Sequence, residues 1–171
     1  MKKLNIIDFE ASSLVSPSFP TQVAVIKEDG STFDRFIKPS SYWQRKYNWS
    51  LDSQKIHGMS LSFLIDVGVD INVVADELNS FVDGEEVFCD GGMYDINWAN
   101  ELFESAKVKQ TFRIGALSEL FDASYLSAPM WELKLRAAEN LGLKEHDALN
   151  DVKIIQTAVK YRRSNMYPRK N

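Results

Sequence analysis

Two acidic residues separated by one position, Asp8 and Glu10, stand near the amino terminus in the run Asp8-Phe9-Glu10. In an extended strand the side chains at positions i and i+2 point to the same face, so both carboxylates project together. Two like charges side by side repel each other unless a cation neutralises them. Carboxylate oxygens are ligands that suit Mg²⁺ or Mn²⁺. The alternative is an exposed strand end that carries two solvated acids.

A third acid, Asp95, follows a turn that contains two glycines. Residues 89–92 (Cys-Asp-Gly-Gly) indicate a turn between a strand and a helix, and Asp95 falls in the first turn of that helix. This makes Asp95 a candidate for the same site as the first pair. The alternative is that Asp95 only complements the helix macrodipole and that Asp90 is a turn residue.

A histidine and an acid near the start of the last predicted helix, His146 and Asp151, complete the candidate set. Their separation of five residues corresponds to a rotation of about 140° on a helix, so they do not share one face. We expect His146 in the loop or the first turn and Asp151 in the helix proper, from where both can reach one site. The alternative for His146 is a partly buried capping residue, and for Asp147 a carboxylate that complements the helix dipole.

The periodicity of apolar residues predicts the elements that position these side chains. Strands are predicted at 3–9, 21–27, 32–37, 86–89 and 111–114, where β-branched and aromatic residues cluster. Helices are predicted from near Ser50 onward and at 71–81, 94–106, 116–121, 129–141 and 146–161, and the segment 39–49 is predicted to be irregular. Gly142 is predicted to end the helix before it.

This order of elements predicts an α/β fold. A mixed central sheet of about five strands, three antiparallel first, is flanked by helices, because helical crossovers return the chain to parallel strands. Ligands of such sheets bind at the carboxyl ends of the strands. Asp8 and Glu10 lie at the carboxyl end of the first strand.

The composition is that of an ordinary globular protein. The length of 171 residues predicts one domain over 1–171, with a core at about 3–162 and a basic tail at 163–171. No apolar run approaches the ~20 residues of a membrane helix, and the amino-terminal run is too short for the core of a signal peptide. The single cysteine, Cys89, cannot form an internal disulfide, which favours a reducing, cytoplasmic location.

The charge excludes one class of nucleic-acid-binding protein. The net charge is −4, from 20 Lys+Arg and 24 Asp+Glu, whereas a protein that coats nucleic acid by charge alone is usually basic. A nuclease that holds divalent metal ions is not excluded, since two Mg²⁺ would add +4 and neutralise the chain.

The acids and the histidine together follow one order: D-x-E on the first strand, an Asp after a later strand, and H-x4-D at the last helix. This order resembles the DEDDh group of 3′–5′ exonucleases, the DnaQ-like or RNase T-like superfamily, from Ile6 to about Tyr161. Residues 56–60 (Ile-His-Gly-Met-Ser) are similar to the family's iHGit segment, and residues 135–143 to its run into the third motif.

The sequence departs from the family pattern in two places. Residues 11–14 (Ala-Ser-Ser-Leu) follow the first Glu where the family often has Thr-Thr or Thr-Gly. The second motif begins with Asp90-Gly91 where the family commonly has His-Asn, and an acid at this place can change how a substrate fits.

The resemblance implies a ribonuclease H-like fold and hydrolysis of phosphodiester bonds with two divalent ions, Mg²⁺ or Mn²⁺. By resemblance, Asp8 bridges both ions, Glu10 and Asp151 complete the site of the ion that carries the attacking water, and Asp95 holds the other ion mainly through water. His146 takes the proton from that water, a role that suits imidazole near neutral pH. The products implied are nucleoside 5′-monophosphates released from a free 3′ end.

Five further residues are candidates for substrate contact. By resemblance, Phe9, Ala11 and Ser12 flank the first motif, where the backbone of relatives touches the terminal nucleotide. Met59 and Tyr94 are candidates for packing against bases, because stacking tolerates any base. The alternative for Tyr94 is a core position.

An aromatic and basic segment, residues 42–49, has two equally weighted interpretations. Its mixture of rings and cations is typical of a platform for single-stranded nucleic acid. It is equally typical of a loop whose rings cover the core. His57 is expected to have a structural or supporting role, and the basic tail to be a solvated, frayed terminus.

The sequence therefore predicts a metal-dependent 3′–5′ exonuclease whose partner is single-stranded DNA or RNA with a free 3′ end. A second interpretation is a polymerase-associated or other nucleic-acid-binding subunit with little activity of its own. A third is an exonuclease specific for RNA trimming or for short oligonucleotides. No membrane partner is expected, and a homodimer and a polymerase partner are both left open.

Overall fold

A computed structural model of the chain describes residues 2–121 and 129–164. The described strands are β1 (Ile6–Ala11), β2 (Pro20–Ile26), β3 (Thr32–Phe36), β4 (Glu86–Cys89) and β5 (Arg113–Ala116). The described α-helices are α1 (Ser41–Lys46), α2 (Leu51–His57), α3 (Leu61–Val67), α4 (Ile71–Val82), α5 (Met93–Ala106), α6 (Met130–Leu141) and α7 (Ala148–Arg163). A short 3₁₀ helix, Leu117–Leu120, follows β5.

The strands form one mixed sheet in the order β3-β2-β1-β4-β5. β1 pairs antiparallel with β2, and β2 pairs antiparallel with β3. β4 lies parallel to β1 on its other side, and β5 lies parallel to β4, because helices bring the chain back to the same end of the sheet. The predicted α/β fold with a mixed, five-stranded sheet flanked by helices is confirmed.

The alternation of side chains along β1 decides which face of the sheet carries the acids. Ile7 belongs to the core that also contains residues of α4 and α5. Ile6 belongs to the core on the opposite face, which it shares with Val152 of α7. Asp8 and Glu10 follow Ile6 at intervals of two residues. They therefore lie on the face that α7 covers.

Three serines start the helices that link β3 to α4. Ser40, Ser50 and Ser60 are the N-caps of α1, α2 and α3, and each side chain accepts a hydrogen bond from the backbone N–H three residues later. The start predicted near Ser50 is confirmed. The prediction of an irregular 39–49 is wrong over Ser41–Lys46, because a cap and the burial of Trp43 stabilise a helix too short to show periodicity.

Several other boundaries differ from the sequence prediction. β1 begins at Ile6 rather than at residue 3, and β5 begins at Arg113 rather than at residue 111. The helix predicted at 116–121 is a 3₁₀ helix. The last helix begins at Ala148 after its N-cap Asp147, so His146 precedes it.

No helix within residues 2–121 and 129–164 combines the length and the apolar character that crossing a membrane requires. The predicted basic tail at 163–171 lies outside the described residues from 165 onward.

Candidate active site

A cavity of about 270 Å³ opens where the carboxyl ends of β1 and β4 lie side by side. Its wall contains all five residues of the predicted catalytic set: Asp8, Glu10, Asp95, His146 and Asp151. The rest of the wall is formed by Phe9, Leu14, Asp90, Gly91, Tyr94, Trp98, Lys134, Glu145 and Ile155. The fold therefore brings together acids that are far apart in the sequence.

Asp95 is fixed by the turn between β4 and α5. It lies in the first turn of α5, and its Oδ2 accepts a hydrogen bond of 3.0 Å from the backbone N–H of Gly91. A Cβ on Gly91 would stand only 2.6 Å from the same oxygen, so a larger residue there would push the carboxylate away. The thiol of Cys89 donates to the backbone carbonyl oxygen of Gly92 at 3.6 Å and so holds the same turn. The Gly-Gly turn thus positions a carboxylate that is 1% exposed.

His146 and Asp151 are joined by a direct contact. The backbone N–H of His146 donates to Asp151 Oδ2 at 2.9 Å, with His146 at a φ of 72° in the left-handed region. Asp147 caps α7 by accepting the N–H of Asn150 at 3.0 Å. His146 therefore reaches the cavity from the loop, and Asp151 reaches it from the first turn of the helix.

Burial raises the pKa values of all four carboxyl groups. The pKa of Asp8 lies well above its ordinary value, first because burial disfavours its charge and then because Asp95 and Asp151 carry like charges. Burial, with repulsion from Asp151, raises the pKa of Glu10 to about 8. Burial also raises the pKa of Asp95 to about 6 and that of Asp151 to about 6. Such a cluster retains protons unless a cation replaces them.

The donor atoms fit a hard divalent cation. One donor atom each from Glu10, His146 and Asp151 lies within 4.8 Å of the others, and Asp8 and Asp95 add carboxylate oxygens on the same wall. Oxygen-rich sites of this kind suit Mg²⁺ or Mn²⁺. The His146 ring belongs to the close group, so its position suits a metal ligand as well as a proton acceptor.

Lys134 of α6 also lies on the cavity wall, and sequence reasoning missed it. Its ammonium group lies 2.8 Å from Asp90 Oδ2 and 3.9 Å from Glu145 Oε1. Burial alone would lower the pKa of Lys134, but its hydrogen bond with Asp90 and the charges of both acids raise it overall. Asp90 is 44 residues away in the sequence, so no local pattern could have shown this contact.

Gln22 of β2 is a second residue that sequence reasoning missed. It stands opposite Glu10 in the sheet and is buried. Its side chain accepts the backbone N–H of Ala148 at 3.2 Å and donates to Asp34 Oδ1 at 3.0 Å. Gln22 thus ties the start of α7 to the strand beside Glu10.

Of the predicted substrate contacts, Phe9 and Tyr94 lie on the cavity wall. The Tyr94 ring is 52% exposed and packs on Trp98 with ring centroids 5.6 Å apart. Its exposure leaves a face free for a base. Phe9 is buried, with only a small part of its surface facing the cavity.

The side chains of the other three, Ala11, Ser12 and Met59, are buried and are absent from the cavity wall. The Ser12 hydroxyl accepts the backbone N–H of Phe19 at 3.0 Å, so it fixes the loop after β1. The backbone N–H of Met59 donates to His57 Nδ1 at 3.1 Å. Any contact from these residues to a substrate would have to involve their backbone.

The aromatic and basic segment 42–49 covers the core with most of its rings. Trp43 is fully buried, stacks on Phe19 at a centroid distance of 5.2 Å and donates its Nε1–H to Glu101 at 2.8 Å. Tyr47 donates its hydroxyl to the same carboxylate at 3.0 Å. The interpretation as a core-covering segment is therefore the correct one for these rings, and Tyr42 remains exposed.

The fold is that of known exonucleases. The E. coli exonuclease I–single-stranded DNA complex in its zinc-bound form matches 99% of this chain with a TM-score of 0.71 and 16% identity. Exonuclease I of Methylocaldum szegediense matches 99% of the chain with a TM-score of 0.68 and 16% identity. E. coli exonuclease I bound to a dA16 oligonucleotide matches 95% with a TM-score of 0.67 and 14% identity.

These neighbours are exonucleases, and the fold that they share with this chain agrees with the fold implied by the sequence resemblance. The chain spans about two-fifths of their length, since it covers 42%, 42% and 40% of those three proteins. No protein-family model matches the sequence, and no curated protein matches it.

Proposed function

We propose that this protein is a metal-dependent 3′–5′ exonuclease that hydrolyses single-stranded DNA or RNA to nucleoside 5′-monophosphates. The observation that carries the proposal is the convergence of Asp8, Glu10, Asp95, Asp151 and His146 on one cavity. Their raised carboxyl pKa values support a site built for cations, because the cluster is destabilised by its own charges. The exonuclease fold and the order of the motifs agree with this function.

Each of these side chains has a distinct task in the proposed reaction. Asp8, Glu10, Asp95 and Asp151 would hold two divalent ions, Mg²⁺ or Mn²⁺, which supply charge relief to the phosphate and activate the attacking water. The His146 ring accepts a proton from the attacking water. Its contact with Asp151 holds the loop in reach of the reacting phosphate. Gln22 keeps α7 in register with β1, so that Glu10 and Asp151 remain close.

The substrate proposed is a single strand. Several neighbouring exonuclease I structures contain single-stranded oligonucleotides. In this chain, the exposed ring of Tyr94 and the exposed Leu14 stand on the cavity wall, where they can pack against a terminal base. A backbone contact from Phe9, Ala11, Ser12 or Met59 to that nucleotide remains part of the proposal. The chain as one domain and a cytoplasmic location also remain proposals.

A digestion assay tests this function. Matched DNA and RNA oligonucleotides labelled at the 5′ end are incubated with Mg²⁺ or Mn²⁺, and EDTA is added to a parallel sample. We expect a ladder that shortens from the 3′ end and disappears with EDTA, and the faster substrate identifies the preferred nucleic acid. Absence of cleavage in a folded, metal-loaded sample would contradict the proposal and favour a nucleic-acid-binding subunit.

A further inference from the structure

Lys134 connects two walls of the cavity. It lies on α6, whose Leu133 and Ala137 are buried against α7, and its side chain reaches across to Asp90 in the turn after β4. The lysine side chain is 22% exposed. A long side chain in this position loses conformational freedom, so the ion pair holds the ammonium group at a defined place over the cavity.

Lys134 places a positive charge on a cavity wall that carries many acidic side chains. Six carboxylates line the cavity: Asp8, Glu10, Asp90, Asp95, Glu145 and Asp151. Lys134 is the only lysine or arginine among the lining residues described. Its positive charge lowers the pKa values of both Asp8 and Asp151 relative to what burial alone would give. The ammonium group therefore lies close to the place where a phosphodiester must enter.

We propose that Lys134 binds a non-bridging oxygen of the substrate phosphate and that Asp90 positions its ammonium group for this contact. An ammonium group has three N–H donors, and one hydrogen bond to Asp90 leaves donors free for a phosphate oxygen. The inference rests on the proposed function of the cavity. It assigns a role to the acid that departs from the family pattern at Asp90.

A different role for Lys134 makes a different prediction. If the lysine only balances the charge of the carboxylates, its removal affects the affinity for cations and leaves the affinity for nucleic acid unchanged. If it binds phosphate, its removal weakens nucleic-acid binding and reduces the dependence of binding on salt, because each phosphate contact releases counterions.

The test measures binding rather than turnover. The full-length chain carries His146→Ala to slow cleavage, and Mn²⁺ is present. Fluorescence anisotropy follows binding of a 5′-fluorescein hexathymidylate between about 50 and about 200 mM KCl. Lys134→Met should weaken binding by about tenfold and make the negative slope of log affinity against log salt shallower by about 0.7. Lys134→Arg should retain the slope of the parent.

Two further variants separate positioning from a general charge effect. Asp90→Asn should keep most of the slope and weaken binding by about threefold, because the ammonium group loses the charged acceptor that holds it in place. Tighter binding would show that Asp90 acts only through its negative charge and would overturn its positioning role. Lys3→Met is the matched control, since Lys3 pairs with Glu85 before the first residues of β1 and β4, away from the cavity. It should leave both affinity and slope unchanged.

The binding measurements test the role of Lys134 separately from the proposed exonuclease function. Unchanged affinity and slope in Lys134→Met would overturn the inference, and so would an effect confined to a rise in Mn²⁺ affinity. If the wild-type chain binds with the expected dependence on Lys134 but yields no ladder in the digestion assay, the proposed function fails and the phosphate contact stands.

Discussion

Acidic side chains have opposite surroundings in two regions of the molecule. Lys3 and Arg113, which stand before or at the first residues of β1 and β5, pair with acids: Lys3 with Glu85, and Arg113 with Glu86 at 3.0 Å and with Glu119 of the 3₁₀ helix at 2.7 Å. The hydrogen bond from Arg113 lowers the pKa of Glu119 to about 2. Each of these acids is paired with a cation at the surface.

At the carboxyl ends of β1 and β4 the acids face one another. Burial raises the pKa of Glu10 to about 8 and that of Asp95 to about 6. The nearby ammonium group of Lys134 also interacts with Asp90 and Glu145, so its charge is not available to these two acids alone. Residue type alone therefore does not determine the role of an acidic side chain. Where cations surround it an acid supports the fold, and where other acids surround it the site gains affinity for a cation at the expense of stability.

The largest expected effect comes from removing one acid of the cavity. Asp8→Asn should reduce 3′–5′ cleavage by about a thousandfold or more, because loss of a metal ligand removes several kcal/mol of charge stabilisation from the transition state. The same change should raise the Tm of the metal-free protein by about 2–4 °C, because an amide at this position removes the cost of burying a carboxyl group, whether as a charge or with a proton taken up on folding. Kinetics and thermal unfolding measure the two effects.

The matched control for this variant is an acid that does not line the cavity. Glu119→Gln also replaces an acid with its amide, but Glu119 is paired with Arg113 and Lys2. Cleavage should be unchanged. A folded Asp8→Asn protein with wild-type cleavage would contradict the assignment of the site.

The second largest expected effect comes from removing the proposed proton acceptor, His146. His146→Ala should reduce the rate of cleavage by about a hundredfold to ten-thousandfold, with little change in Mn²⁺ affinity, since His146 is proposed as a proton acceptor. Calorimetry of Mn²⁺ binding checks this point. A large loss of affinity would make His146 a metal ligand, a role that its position near Glu10 and Asp151 also suits.

The thermal stability of the metal-free protein should depend on pH through the acids of the cavity. For Glu10, Asp95 and Asp151 the folded pKa is raised above the unfolded value, so the folded state binds more protons between about pH 4 and about pH 8. The Tm of the metal-free protein should therefore fall as pH rises through this window. Mg²⁺ or Mn²⁺ should increase Tm more at pH 8 than at pH 6. A metal-free Tm that rises from pH 5 to pH 8 would show that the cluster is not the main titrating site.

The smallest expected effect comes from a substitution just before the first residues of β1 and β4. Lys3→Met breaks an exposed ion pair with Glu85, and exposed pairs contribute little to stability. The Tm should fall by about 1 °C or less, and cleavage should not change. Thermal unfolding followed by circular dichroism measures this, and a shift as large as that of Asp8→Asn would remove the distinction between the two regions.

Much of the fold could be predicted because its signals are local. The bounds of β4 match the prediction, and Gly142, at a φ of 65°, ends α6 as expected. The strand hairpin and the parallel strands after it follow from the order of the elements. The short helix α1 could not be predicted in this way, because six residues give too few turns for a periodic pattern.

The site was only partly predictable for a related reason. Asp8 and Glu10 are two residues apart, and a motif order connects them to Asp95, His146 and Asp151. The contact of Lys134 with Asp90 and that of Gln22 with Ala148 join positions 44 and 126 residues apart. Such contacts exist only in the folded chain. The shifted pKa values are likewise products of burial and of neighbours brought together by folding.

Calorimetric titration of the metal-free protein with Mn²⁺ at pH 7, in two buffers of different ionisation enthalpy, tests the central claim most directly. Because Glu10 with a pKa of about 8 is mostly protonated at this pH, and the pKa of Asp8 is also raised, cation binding should release at least about one proton per protein. Glu10→Gln should reduce that release, and Lys3→Met should not. Binding without proton release, or no binding at all, would contradict a cavity whose acids hold protons until a divalent cation takes their place.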